Sequence, residues 1–129
     1  VESETNLNSP ISILFVEDDD LILELQASVL SAKFPDIMIH TAANGTLGLE
    51  LFKIYLPDIV LTDINMSELS GEQMSLRIRA LKPETQFIAI TGKDTSEVTF
   101  EFDHYIVKPV GFEELFVAIE KCIRGITEK

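Results

Sequence analysis

Basic residues are scarce in this chain: 10 Lys and Arg stand against 22 Asp and Glu, a formal net charge of −12 at neutral pH over 129 residues. That field repels a nucleic-acid backbone or an anionic membrane surface, and it excludes both as direct partners of this stretch. A cation or a basic protein patch fits better. Tryptophan is absent and cysteine occurs once, at position 122. A lone cysteine forms no internal disulfide, and Cys122 lies in a helical pattern, so it is expected to pack rather than react. No apolar run approaches the roughly eighteen residues of a membrane span, and the opening Val-Glu-Ser-Glu-Thr-Asn lacks the basic start and apolar core of a signal peptide. The expectation is a cytoplasmic location away from the membrane. Low-complexity tracts, internal repeats and linkers are missing too. What remains is ordinary for a globular chain, 46% apolar and 25% charged, at a length that suits one domain.

Residues 1–10 are polar and end in Ser9-Pro10, which reads as a flexible leader, and Val1 in first position suggests a fragment or a processed chain. Five short runs rich in Ile and Val follow: 11–16, 37–41, 58–62, 87–91 and 105–107. Such runs fit strands buried on both faces of a parallel sheet. Between them the apolar residues keep helical spacing. Leu21, Leu25, Val29 and Ala32 form one stripe, Leu47, Leu51 and Ile54 a second, and Met74, Ile78 and Leu81 a third. The last helix carries Phe112, Leu115, Phe116, Ile119 and Ile123. Asn44 can cap the second helix, Ser70 with Gln73 makes a capping box for the third, and Pro35, Pro57 and Pro83 fall between elements. Alternation of this kind predicts an α/β fold with helices on both faces of the sheet.

In such folds the working groups gather beyond the carboxyl ends of the strands. The first strand ends in Glu17-Asp18-Asp19, the third in Asp63, the fourth in Thr91, and the fifth in Lys108-Pro109. An acidic run after a strand is often no more than a solvated helix start. Its coincidence with Asp63, Thr91 and Lys108 at three other strand ends argues for a site. Clustered carboxylates repel one another and call for a counter-charge. Magnesium suits an all-oxygen set better than zinc, because His40 and His104 lie elsewhere.

The runs Ile-Leu-Phe-Val-Glu-Asp-Asp (13–19), Ile-Val-Leu-Thr-Asp-Ile-Asn-Met (59–66), Gly71, Ile-Ala-Ile-Thr-Gly (88–92) and Tyr-Ile-Val-Lys-Pro (105–109) resemble the receiver domain of two-component response regulators, from residue 11 to about 124. The resemblance implies a flavodoxin-like five-stranded parallel sheet in the order 2-1-3-4-5, with the domain spanning 11–126. It also implies phosphoryl transfer from a sensor histidine kinase or a phosphotransfer protein to Asp63, the nucleophile. Asp18, Asp63 and the backbone carbonyl of Asn65 would then hold Mg2+, with Glu17 acting through water and Asp19 serving as a helix-start charge. Lys108, followed by a cis Pro109, would meet phosphoryl oxygens. Thr91 would move toward the phosphoryl group and Tyr105 would swing inward. The domain would be a signalling phosphoacceptor rather than an enzyme proper, and any output domain or target lies outside this chain.

Three departures stand out. The usual proline after Asn65-Met66 is Ser67, and the stretch between Thr91 and Lys108 is short by roughly one helical turn. The customary Gly-Ala before the fifth strand is Phe102-Asp103. The helix between strands four and five is therefore expected to be short or irregular, with Asp94-Thr95-Ser96-Glu97 offering caps for one brief helix at most, and activation is expected to be read through the C-terminal helix or by release of a neighbouring domain. The rival readings are a dehalogenase-type phosphatase, which needs an acid where Asn65 stands, and a pseudo-receiver that works by contact alone. Nucleotide-binding loops of the Gly-x-x-x-x-Gly-Lys type are missing.

Overall fold

The computed structural model describes residues 10–92 and 96–128. Nine elements alternate along the chain: β1 (Ser12–Val16), α1 (Asp20–Lys33), β2 (Met38–Ala42), α2 (Gly45–Tyr55), β3 (Ile59–Asp63), α3 (Gly71–Leu81), β4 (Gln86–Thr91), β5 (His104–Val107) and α4 (Phe112–Thr127). All pairings are parallel, in the order β2-β1-β3-β4-β5. The chain thus runs outward from β1 to β2 and then returns across β1 to β3. That reversal opens a crevice at the carboxyl ends of β1 and β3.

One face of the sheet packs Leu14, Val16, Val60 and Phe87 against Phe52 of α2 and Met74 and Ile78 of α3. The other packs Ile13, Phe15, Leu61, Ile88 and Ile106 against Leu23 and Leu30 of α1 and Leu115 and Ile119 of α4. Cover on both faces explains why β1, β3 and β4 read as unbroken apolar runs. Local signals agree with this. Asn44 Oδ1 accepts the Leu47 N–H at 2.8 Å, and Ser70 and Gln73 complete a capping box. Cys122 is fully buried, and desolvation pushes its thiol up to about 12. Iodoacetamide at pH 8 should therefore leave Cys122 unmodified in the folded protein and label it once the chain is unfolded in urea; rapid labelling without denaturant would contradict this burial.

The helical stripes read from sequence need correction. On α1 the buried positions are Leu23, Gln26 and Leu30, whereas Leu21 is 79% and Leu25 59% exposed and Ala32 is also exposed. On α2 the buried face is Gly45, Gly48, Leu49 and Phe52, and Leu47 and Ile54 face solvent. Both helices carry apolar residues on two faces, so periodicity alone could not tell which one meets the sheet. The small residues decide it on α2. A Cβ at Gly48 would lie 2.8 Å from Met74 Sδ and 3.0 Å from Val16 Cγ2, so the helix lies close on β1 through its glycine. Met74 and Ile78 are buried as expected, while Leu81 and Phe112, at two helix ends, are half exposed.

Among the described residues no helix joins β4 to β5. Asp94 and Thr95, half of the expected capping run, lie outside those residues, as do residues 1–9 of the expected leader. From Ser96 to Asp103 the chain runs as a strap across α3. Phe100 and Phe102 are buried and pack edge-on to Phe87 and to each other, at ring centroid distances of 4.9, 6.4 and 4.8 Å. Arg79 donates to the Glu101 carbonyl at 2.7 Å and lies 3.9 Å over the Phe100 ring. Asp103 and Phe87 exchange two bonds: the Asp103 N–H donates to the Phe87 carbonyl, and Asp103 Oδ2 accepts the Phe87 N–H. The residues that replace the expected Gly-Ala thus supply aromatic bulk and an edge cap in place of a helix.

Candidate functional site

β1 and β3 end beside each other, Val16 lying in register with Thr62, one residue before the end of β3. Glu17 therefore follows β1 into the crevice just where Asp63 closes β3. Both side chains are almost wholly enclosed, each residue 2% exposed, while Asp18 and Asp19 face solvent. Carboxylate oxygens of Glu17, Asp18 and Asp63 all lie within 4.8 Å of one another. Asp19 stands apart from this group. Its Oδ1 accepts the N–H groups of Leu21 and Ile22 at 3.0 and 3.1 Å, which makes it the N-cap of α1.

Asp63 is held at both oxygens. Oδ2 accepts from Lys108 Nζ at 2.7 Å, and Oδ1 accepts the Asn65 N–H at 3.1 Å. Lys108 reaches it from the loop after β5, where the Lys108–Pro109 bond is cis. The Lys108 N–H donates to the Thr91 carbonyl at 2.8 Å, tying the end of β4 to the same loop. Burial works against the Lys108 charge, but the hydrogen bond and the charge of Asp63, with Glu17 and Asp18 behind them, outweigh it and raise its pKa. Desolvation pushes Glu17 above the ordinary carboxylate range; the Asp19 N–H, donated to Glu17 Oε2 at 3.0 Å, opposes this, and the Asp63 charge adds to it. A single ammonium thus faces three carboxylates among the described residues, and the deficit is one that a hard divalent cation can fill.

Thr91 is buried at the end of β4 and shares a cleft of about 480 Å³ with Ile64, Asn65, Met66 and Ser70, walled by Glu72, Glu97 and Val98. Tyr105 points outward, 43% exposed, with its hydroxyl 3.4 Å from the Phe100 carbonyl. The structure therefore gathers Glu17, Asp18, Asp63 and Lys108 directly, sets Asn65 and Thr91 at the rim, and leaves Tyr105 on the outer strand.

Sequence reasoning left two contributors without a role. A Cβ on Gly71 would lie 2.2 Å from the Asp63 carbonyl oxygen, so the start of α3 can press against the end of β3 only as glycine; Gly71 was visible as a motif residue but not its reason. Glu72 carried no signal beyond an acid in the first turn of a helix. Its Oε2 accepts the Thr99 N–H, the Thr99 hydroxyl at 2.7 Å and the Phe100 N–H at 2.7 Å.

Comparison with known proteins bears on the family and the fold. The family model for the response regulator receiver domain matches residues 13–120. The cell cycle response regulator CtrA of Brucella ovis is 30% identical over 117 residues, which are 87% of this chain and 50% of that protein. The chain spans about half the length of the curated relatives it matches. Among solved structures, a CheY-like receiver domain protein from Methanospirillum hungatei is 28% identical, with a TM-score of 0.83 over 94% of this chain and 100% of that one. The response regulator TrrA of Thermotoga maritima, solved in complex with Mg2+ and BeF, is 30% identical, with a TM-score of 0.77 over 87% of this chain and 98% of that one. With the family model spanning most of its length, this chain belongs to the response regulator receiver domain family.

Proposed function

We propose that this domain accepts a phosphoryl group on Asp63 from the phosphohistidine of a sensor kinase or phosphotransfer protein, and passes the signal on as a change of shape. The observation that carries the reading is the state of Asp63: a carboxylate 2% exposed, held 2.7 Å from Lys108, at the mouth where two further carboxylates converge. In the transfer a carboxylate oxygen of Asp63 forms the new O–P bond, the N–P bond of the donor breaks, and the imidazole nitrogen leaves with the bonding pair and takes a proton. Lys108 offers fixed positive charge to the phosphoryl oxygens, and the buried Thr91 hydroxyl offers a hydrogen bond. Asp18, Asp63 and the Asn65 carbonyl would hold Mg2+, with Glu17 reaching it through water; the ion supplies neutralisation of the phosphoryl charge. The domain is taken to run from residue 11 to 126, after a leader at 1–10, and to control an output located beyond these residues.

Incubation with acetyl phosphate and magnesium should add one phosphoryl mass, lost in hydroxylamine and mapped to Asp63 by peptide sequencing. A chain that gains no mass would be a pseudo-receiver acting by contact alone. Magnesium itself should bind at one weak site without any phosphodonor. Asp18→Ala should weaken that binding by about tenfold or more, because it removes an exposed ligand from the cluster. Asp19→Ala should change it by less than about twofold, its carboxylate being committed to the α1 cap. Equal losses in the two variants would show that the acidic run acts only as a diffuse field.

A further inference from the structure

The strap between β4 and β5 is fastened to α3 beside its contact with Tyr105. Glu72 gathers both N–H groups of Thr99 and Phe100 and the Thr99 hydroxyl on one carboxylate oxygen. The carbonyl of that same Phe100 accepts the Tyr105 hydroxyl at 3.4 Å, and the Tyr105 ring lies edge-on to Phe102 at 5.7 Å. Arg79 fastens the next residue, Glu101, and its guanidinium lies over the rings of both Phe100 and Phe87. The carboxylate is kept charged in this role: the Thr99 hydroxyl and, against some desolvation, the two N–H groups hold Glu72 below its ordinary pKa.

We propose that Glu72 is a positioning residue of the switch, holding Tyr105 in its outward orientation through the Thr99–Phe100 strap and so setting how much phosphoryl-site occupancy is needed to turn Tyr105 inward. The inference rests on the phosphoacceptor reading of Asp63. A contact made in one conformation and lost in the other biases the equilibrium toward the first. Inward rotation of Tyr105 takes its hydroxyl away from Phe100, and the rigidly held strap cannot follow.

The test uses magnesium with beryllium fluoride as a probe of the phosphoryl site, read by NMR in the parent, in Glu72→Gln and in Thr99→Val. The second variant removes only the hydroxyl donor and guards against a folding defect in the first. In Glu72→Gln without probe, hydrogen exchange at Thr99 and Phe100 should rise about tenfold or more. The probe concentration that half-converts the Tyr105 ring signals should fall by about fivefold, with a smaller fall in Thr99→Val. Faster exchange with an unchanged midpoint would overturn the proposal and leave Glu72 as a structural tie. Failure of the parent to bind the probe, or binding that survives in an Asp63→Asn control, would overturn the Asp63 reading itself and this inference with it, and the parent and control titrations together tell that failure from the failure of the Glu72 proposal.

Discussion

Asp63→Asn is expected to abolish phosphorylation by acetyl phosphate, with residual modification at least about a hundredfold slower than in the parent. The side chains are nearly isosteric, so the effect is chemical. An amide oxygen is a far poorer nucleophile than a carboxylate, and the variant leaves Lys108 Nζ, now 2.7 Å from Asp63 Oδ2, beside a neutral group. Two secondary results follow from the same geometry. Lys108 loses the partner that most raises its pKa, and Glu17 loses a neighbouring negative charge that raises its own. Magnesium affinity should fall as well, since the cluster of three carboxylates becomes two. Mass spectrometry after timed incubation checks the first result and a magnesium titration the last. Undiminished phosphorylation at another carboxylate would remove Asp63 from the mechanism.

Gly71→Ala is expected to be the most damaging single methyl in the domain, costing about 3 kcal/mol and lowering the melting temperature by roughly 10 °C. The added carbon would fall 2.2 Å from the Asp63 carbonyl oxygen and 3.0 Å from Ile64 Cα. These are backbone atoms of a buried strand end and its turn, so neither can rotate away. The Gly71 N–H also donates to the Ile64 carbonyl at 3.0 Å, which fixes the helix start against the turn. Relief therefore means backing α3 away from β3, and that movement carries the Asp63 end of the strand with it. A modest loss of stability with normal phosphorylation would show that the turn yields more easily than its contacts imply. Gly92→Ala is the control, as its Cβ would meet nothing within 4 Å.

The sheet and the site were legible in the sequence for one reason. Strands buried on both faces, such as Ile59 to Asp63, need apolar residues at every position, and a charged residue that ends such a run has no place to go except the mouth. Asp63 is recognisable on that ground before any contact is known, whereas β5 is an edge strand with Tyr105 and Val107 exposed and lends Lys108 no such support. Helix orientation was not legible, because Leu21 and Leu25 on α1 and Leu47 and Ile54 on α2 are as apolar as the residues that face the sheet. Nor was the strap. The shortened stretch announced a short or irregular helix, but the strap found among the described residues depends on Glu72 and Arg79, which are remote in sequence from the residues they hold and look like ordinary surface charges on α3.

A helix stores the hydrogen bonds that hold it within its own backbone, so its sequence can drift with little loss as long as one face stays apolar. The strap has surrendered that autonomy to α3. Glu72 and Arg79 stand two helical turns apart, and each satisfies backbone groups of the strap that no ladder of its own would serve. The consequence is a shift in where substitutions are tolerated. In a saturation map of this domain, the outer face of α3 should contain a pair of partly exposed charged positions nearly as intolerant of change as the core, while Leu76 between them, 63% exposed, accepts most residues. Drift in the strap and drift in α3 are then coupled: the segment that gave up its own helix can diverge only together with the helix that holds it.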